Sequence, residues 1–205
     1  MADETNPWLS RPAAAPTSAP AYTQTPTPTA TGPVTPQRGV PAPDVADQLP
    51  TVVHHRTADL WWLGAHGGAG ETSLAALDPR WAAADHGWPR TPGATPTSVV
   101  VTARSNMRGL RAAQVAATQW AAGLVPHVQL VGLVVVADAP GRLPRPLREL
   151  TQVVSGGYPR TWSIPWIEIW RLGEAPDLST APREVRRLAD DLTALLHTGA
   201  PSAAH

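Results

Sequence analysis

The stretch that most constrains this chain is Leu60–Leu77, LWWLGAHGGAGETSLAAL. Leu60-Trp61-Trp62-Leu63 is an apolar run of strand length, bounded by glycine. A glycine-rich turn follows, and Thr72-Ser73-Leu74-Ala75-Ala76-Leu77 reads as the start of a helix. Strand, glycine loop and helix N-terminus form the unit that cradles phosphates. Glycines let the backbone approach an anion, and the helix end presents free N–H groups to it.

Beyond this unit the pattern alternates. Asp78-Pro79 ends the first helix, and Pro79–Asp85, PRWAAAD, reads as a second short one. His86–Thr97 is a loop rich in Pro and Gly. Ser98–Ala103 is a β-branched buried strand. Ser105 is placed to cap a helix over Asn106–Ala122, whose stripe runs Leu110, Ala113, Ala117, Trp120 and on to Leu124. Val128–Ala137 is the longest apolar strand, Pro144–Val154 a helix, and Arg160–Ile164 a last short strand closed by Pro165. Pro182–Leu196 is an amphipathic helix with Thr180 as its cap. Such alternation predicts an α/β domain with a mostly parallel sheet flanked by helices.

The first fifty residues are different material. Ser10–Pro50 is dominated by Pro, Ala and Thr, which bury little and forbid regular pairing. Three regions are therefore expected: a disordered arm over residues 1–50, an α/β domain over 51–198 and a disordered tail over 199–205. One apolar island, Asn6-Pro7-Trp8-Leu9, is a candidate docking peptide for a protein partner. With Lys+Arg 16 against Asp+Glu 16, the chain lacks the basic excess of a bulk nucleic-acid binder. It has no cysteine, which excludes disulfide, thiol and zinc–thiolate chemistry. No apolar run follows Met1 and none reaches the ~20 residues of a membrane span, so a soluble cytoplasmic protein is expected.

The chemistry rests on the loop. His66-Gly67-Gly68-Ala69-Gly70-Glu71-Thr72-Ser73 approaches the form G-x-x-x-x-G-K-[ST]. Glu71 stands at the lysine position, Ala65 at the first glycine position, and Gly64 one place early. At ~4 Å and an effective dielectric of ~20, each unit charge interaction is worth about 4 kcal/mol. Exchanging lysine for a carboxylate costs on the order of a thousandfold in triphosphate affinity, even after relaxation. Either the loop only holds the fold, with Glu71 favouring the helix dipole, or its amides over Gly67–Thr72 keep a weak nucleotide or other anion. In the second case His66 or Arg104 supplies the charge. A Glu71–His66 acid–base pair finds no supporting constellation. Asp138, in VVVADAPGR, is either an aspartate that holds magnesium through water or an ordinary turn residue. His54, His55, His86, His127, His197 and His205 show no ligand spacing. With no phenylalanine, tryptophan is the main core aromatic. Trp166 and Trp170 alternate with Ile167 and Ile169, however, and extended alternation would turn both rings outward as a partner contact.

From Leu60 onward the chain resembles the ParA/MinD branch of P-loop ATPases, whose loop reads K-G-G-x-G-K-[ST]-[ST]. Both family lysines are replaced here, by His66 and Glu71. Ser98–Ala103 with Ser105, Gly132-Leu133-Val134-Val135-Val136, and Ile164-Pro165-Trp166 are similar to later segments of that family. The family's aspartate-bearing Walker-B strand has no counterpart in the short Asp78–Thr97 gap. The chain also looks like an uncharacterised actinobacterial family often associated with mobile elements. The resemblance implies a truncated P-loop-like fold. The function expected is that of a non-hydrolytic accessory or adaptor protein, in plasmid maintenance or conjugation. The alternative is a weak nucleotide-binding ATPase of the partitioning type, and only there do ATP and magnesium enter as cofactors. If binding was lost through charge alone, Glu71→Lys restores some of it without turnover.

Overall fold

The structure is a computed structural model, and it describes residue 30 and residues 32–199. Its main sheet has five strands, β2 (Leu60–Gly64), β3 (Trp81–Ala83), β5 (Thr97–Arg104), β6 (Val128–Val136) and β7 (Thr161–Ile164). They lie in the order β3-β2-β5-β6-β7. All its pairings are parallel among the described residues. This is a doubly wound order, with the chain stepping outward in both directions from the gap between β2 and β5.

Strand alternation sorts the side chains onto two cores. Trp61, Leu63, Val99 and Val101 face the helices α2 (Met107–Ala121) and α3 (Arg145–Ser155). Leu60, Trp62, Val100 and Val134 face α1 (Glu71–Ala75) and α5 (Arg183–Gly199). Trp61 and Trp62 are both fully buried on opposite faces, so tryptophan does here what phenylalanine does elsewhere. Asn106 caps α2, its Oδ1 accepting from the Gly109 N–H at 2.8 Å. Ser105, expected in that role, instead accepts from the Asp138 N–H at 3.1 Å and joins the ends of β5 and β6.

Three expectations need correction. Pro79–Asp85 is not a helix: Trp81, Ala82 and Ala83 pair with Leu60, Trp61 and Trp62 as the edge strand β3. The alanines favour helix locally, but Trp81 and Ala82 are buried against the two cores, and that burial decides. His86–Thr97 is not all loop. It contains β4 (Trp88–Arg90), which pairs in parallel with β1 (Thr51–Val53) as a separate two-stranded sheet. Trp88 from that sheet joins the α2/α3 core. The third correction concerns residues 32–50, which lie along α2 and the end of α3. The Gln37 N–H donates to Ala121 O at 2.9 Å. Buried Gln119 accepts from the Leu49 N–H at 3.0 Å and donates back to Leu49 O at 2.9 Å. Its amide thus replaces a strand neighbour for Leu49. Gly32 is pressed so closely that a Cβ there would lie 2.6 Å from Gly156 O. The segment is a strap on the domain rather than a linker to it. Trp8 and Leu9 lie outside the described residues.

Candidate functional site

Ligands of doubly wound sheets bind beyond the carboxyl ends of the strands, where the winding reverses. In this chain that point lies between β2 and β5, and the glycine loop sits on it. The loop turns sharply through two left-handed glycines, Gly68 with φ +77° and Gly70 with φ +98°, which side chains rarely permit.

The loop is sewn to β5. The Ala65 N–H donates to Thr102 O at 2.9 Å, and the buried Thr102 hydroxyl donates to Ala69 O at 3.0 Å. Arg104 then straps it down. Its Nε donates to Gly68 O at 3.0 Å and its Nη1 to Ala137 O at 3.1 Å, tying the loop to the end of β6. The Arg104 N–H donates to His66 Nε2 at 3.1 Å, while His66 Nδ1 lies 2.9 Å from Gly67 O. These two bonds together fit the neutral ring with its proton on Nδ1. The carbonyls of Gly67, Gly68 and Ala69 are thus all engaged. Among the described residues, the amides of Gly68, Gly70, Glu71 and Thr72 donate to nothing. Thr72 is exposed, and Ser73 is half-buried.

Glu71 does not face an incoming phosphate. Its side chain folds back under the loop and is only 4% exposed. Oε2 accepts the Gly64 N–H at 2.6 Å, and Oε1 lies 3.2 Å from His86 Nδ1. His86 reaches it through two consecutive left-handed residues, Asp85 at φ 55° and His86 at φ 57°. A Cβ on Gly64 would lie 2.9 Å from both Glu71 Oε2 and His86 Nδ1. A side chain at this position would therefore push the Glu71 carboxylate or the His86 ring out of the clamp. His86 is the site residue that sequence reading missed. The Asp85-His86-Gly87 turn was visible, but its partner fifteen positions upstream was not.

The cations stand on the other side of the loop. A small hollow beside Gly70 and Ser73 is lined by Arg104, Arg171 and Trp170. Burial first, and then the like charge of Arg171, press the Arg104 pKa below its ordinary value, with Asp138 pulling it back. The Asp138 carboxylate is 4.0 Å from Arg171. Among the described residues no three His, Cys, Asp or Glu side chains gather as a metal set.

Trp166 and Trp170 do not turn outward together. The residues after β7 form a turn of helix, α4 (Glu168–Arg171), so the extended alternation fails. The Trp166 ring lies under the Arg171 guanidinium, 4.7 Å from it, and its indole N–H donates to Glu168. Trp170 is half-buried against the α1/α5 core.

The fold and this edge define an α/β protein with a doubly wound parallel sheet and a glycine loop at its switch point. Residues 58–188 match the family described as a family of unknown function (DUF6668), and the chain belongs to it. No curated protein and no solved structure matches the chain. No helix among the described residues is long and apolar enough to cross a membrane.

Proposed function

We propose that this chain is a non-hydrolytic accessory or adaptor protein on a degenerate P-loop-like scaffold of ParA/MinD type. Glu71 carries the reading. The position that would hold a phosphate-binding lysine holds a buried carboxylate, spent on the Gly64 amide and on His86. The loop acts as a structural corner, and Arg104 locks it to β5 and β6. Titration of the purified protein with ATP and magnesium in a calorimeter gives no heat of binding on this reading, and phosphate release stays at background. Magnesium-dependent release of phosphate by the parent protein would defeat it.

A second reading, weak nucleotide binding with residual turnover, is favoured by one correction above. A strand does occupy the gap that the resemblance left empty. β3 lies parallel and next to β2, and the exposed Asp85 follows shortly after its end. A carboxylate there and the Arg104–Arg171 pair beside Gly70 flank the loop from both sides. On this reading ATP binding is measurable and is lost in Arg171→Ala, while Asp85→Asn removes its dependence on magnesium.

A further inference from the structure

A second concavity opens on the α2/α3 face of the same sheet edge. It is a cleft of about 360 Å³ at the ends of β5, β6 and β7, roofed by the loop between β6 and α3. Small-molecule sites begin at roughly this size, about 300–1,000 Å³. Its walls are largely apolar, formed by Val135, Leu143 and Leu147. Most of its polar atoms are already engaged. Ser105 Oγ accepts from the Asp138 N–H, the Thr151 hydroxyl donates to Leu147 O, and Asn106 Oδ1 caps α2. Two uncharged groups are left over among the described residues, the Asn106 side-chain NH2 and the Ser163 hydroxyl. The Arg104 guanidinium lies on the other side of the end of β6, strapped to the glycine loop. Arg142, on the roof, is exposed to water.

We infer that this cleft binds a small, uncharged, largely apolar molecule carrying a hydrogen-bond acceptor, which meets the Asn106 amide and the Ser163 hydroxyl. The apolar walls supply burial. The only charges on the lining, Arg142 and Asp138, are opposite in sign and both exposed to water. An ionised ligand would therefore gain no net counter-charge for the hydration it loses. Apolar area supplies most of the affinity, and the two leftover groups fix orientation. The inference stands apart from the reading of the glycine loop, since it uses neither Glu71 nor the loop amides.

The test uses the full chain and the neutral fluorophore N-phenyl-1-naphthylamine. Binding with enhanced, blue-shifted emission is expected. Its anionic relative 1-anilinonaphthalene-8-sulfonate should bind at least about tenfold more weakly. Leu147→Trp fills the cleft from α3 and should weaken the neutral probe at least about tenfold. Leu147 is half-buried, so Ala139→Trp on the exposed roof serves as a second plug that leaves the core untouched. Val153→Trp, in the separate hollow beneath the strap, should leave affinity within about twofold. Absence of binding, equal binding of the two dyes, or a loss confined to Val153→Trp would each overturn the inference. So would undiminished binding by a folded Ala139→Trp protein.

Discussion

Replacing Glu71 by lysine separates the two views of the loop most sharply. Read as sequence, Glu71→Lys repairs a phosphate site. In the structure it breaks a clamp. Lysine has no acceptor, so the buried Gly64 N–H loses its 2.6 Å partner. An orphaned buried donor costs about 1–3 kcal/mol. The new ammonium would also enter a pocket that leaves Glu71 only 4% exposed, beside His86 and with no counter-charge. Burying an ammonium there without a counter-charge brings the total to about 3–5 kcal/mol, the orphaned donor included. The His86 contact itself is counted below about 1 kcal/mol, because the histidine side chain is 51% exposed and water screens it. For a domain of this size each kcal/mol moves the melting temperature by roughly 2–4 °C, so a fall of about 6–20 °C is expected. Glu71→Gln is the control. Its amide oxygen still accepts from Gly64 and its NH2 stands where Oε1 meets His86 Nδ1, so a loss of only about 1 kcal/mol is expected. Thermal unfolding followed by circular dichroism reads the stability, and calorimetry with ATP and magnesium reads binding. A Glu71→Lys protein that melts within about 2 °C of the parent would refute the clamp, and a gain of ATP binding would restore the charge argument.

Three further outcomes follow from the same contacts. Gly109→Ala should destabilise by about 1–3 kcal/mol despite alanine's better helix propensity, because its Cβ would press on Arg104 O and come 2.8 Å from His66 Nε2; urea unfolding measures it. A chain beginning at residue 32 should keep the parent's melting temperature. One beginning at residue 51 should melt several degrees lower, since Gln119 and Ala121 O lose the strap; equal melting would mean the strap contributes nothing. Burial first, and then Arg90, hold the His127 pKa below its ordinary 6.5. Below that value the unfolded chain binds the proton that the folded one resists. The contribution of His127 is therefore complete above pH 6.5 and falls away as pH drops towards the folded pKa. Melting curves between pH 7.5 and 5 should show a steeper decline for the parent than for His127→Leu, and superimposable declines would contradict the assignment.

The sequence by itself determined the elements whose pattern is strong over their own length. Leu60–Gly64, the β-branched run ending in Arg104, the apolar run from Val128 and the striped helices each state their period locally, and hence the α/β class. The glycine loop was legible too, because Gly68 and Gly70 serve a backbone requirement that no neighbour needs to explain. Other features were decided only by tertiary structure. Trp81-Ala82-Ala83 favours helix in isolation and becomes a strand because β2 offers it an edge and two cores to fill. Residues 32–50 lack apolar pattern but are held by backbone bonds to groups about seventy or more positions away, such as Gln119 and Ala121. Glu71 shows the limit most plainly. Its identity was visible, and with it the loss of a cation. Whether its charge opposed a ligand or sealed a corner depended on Gly64 and His86, which the sheet alone brings within reach of one carboxylate.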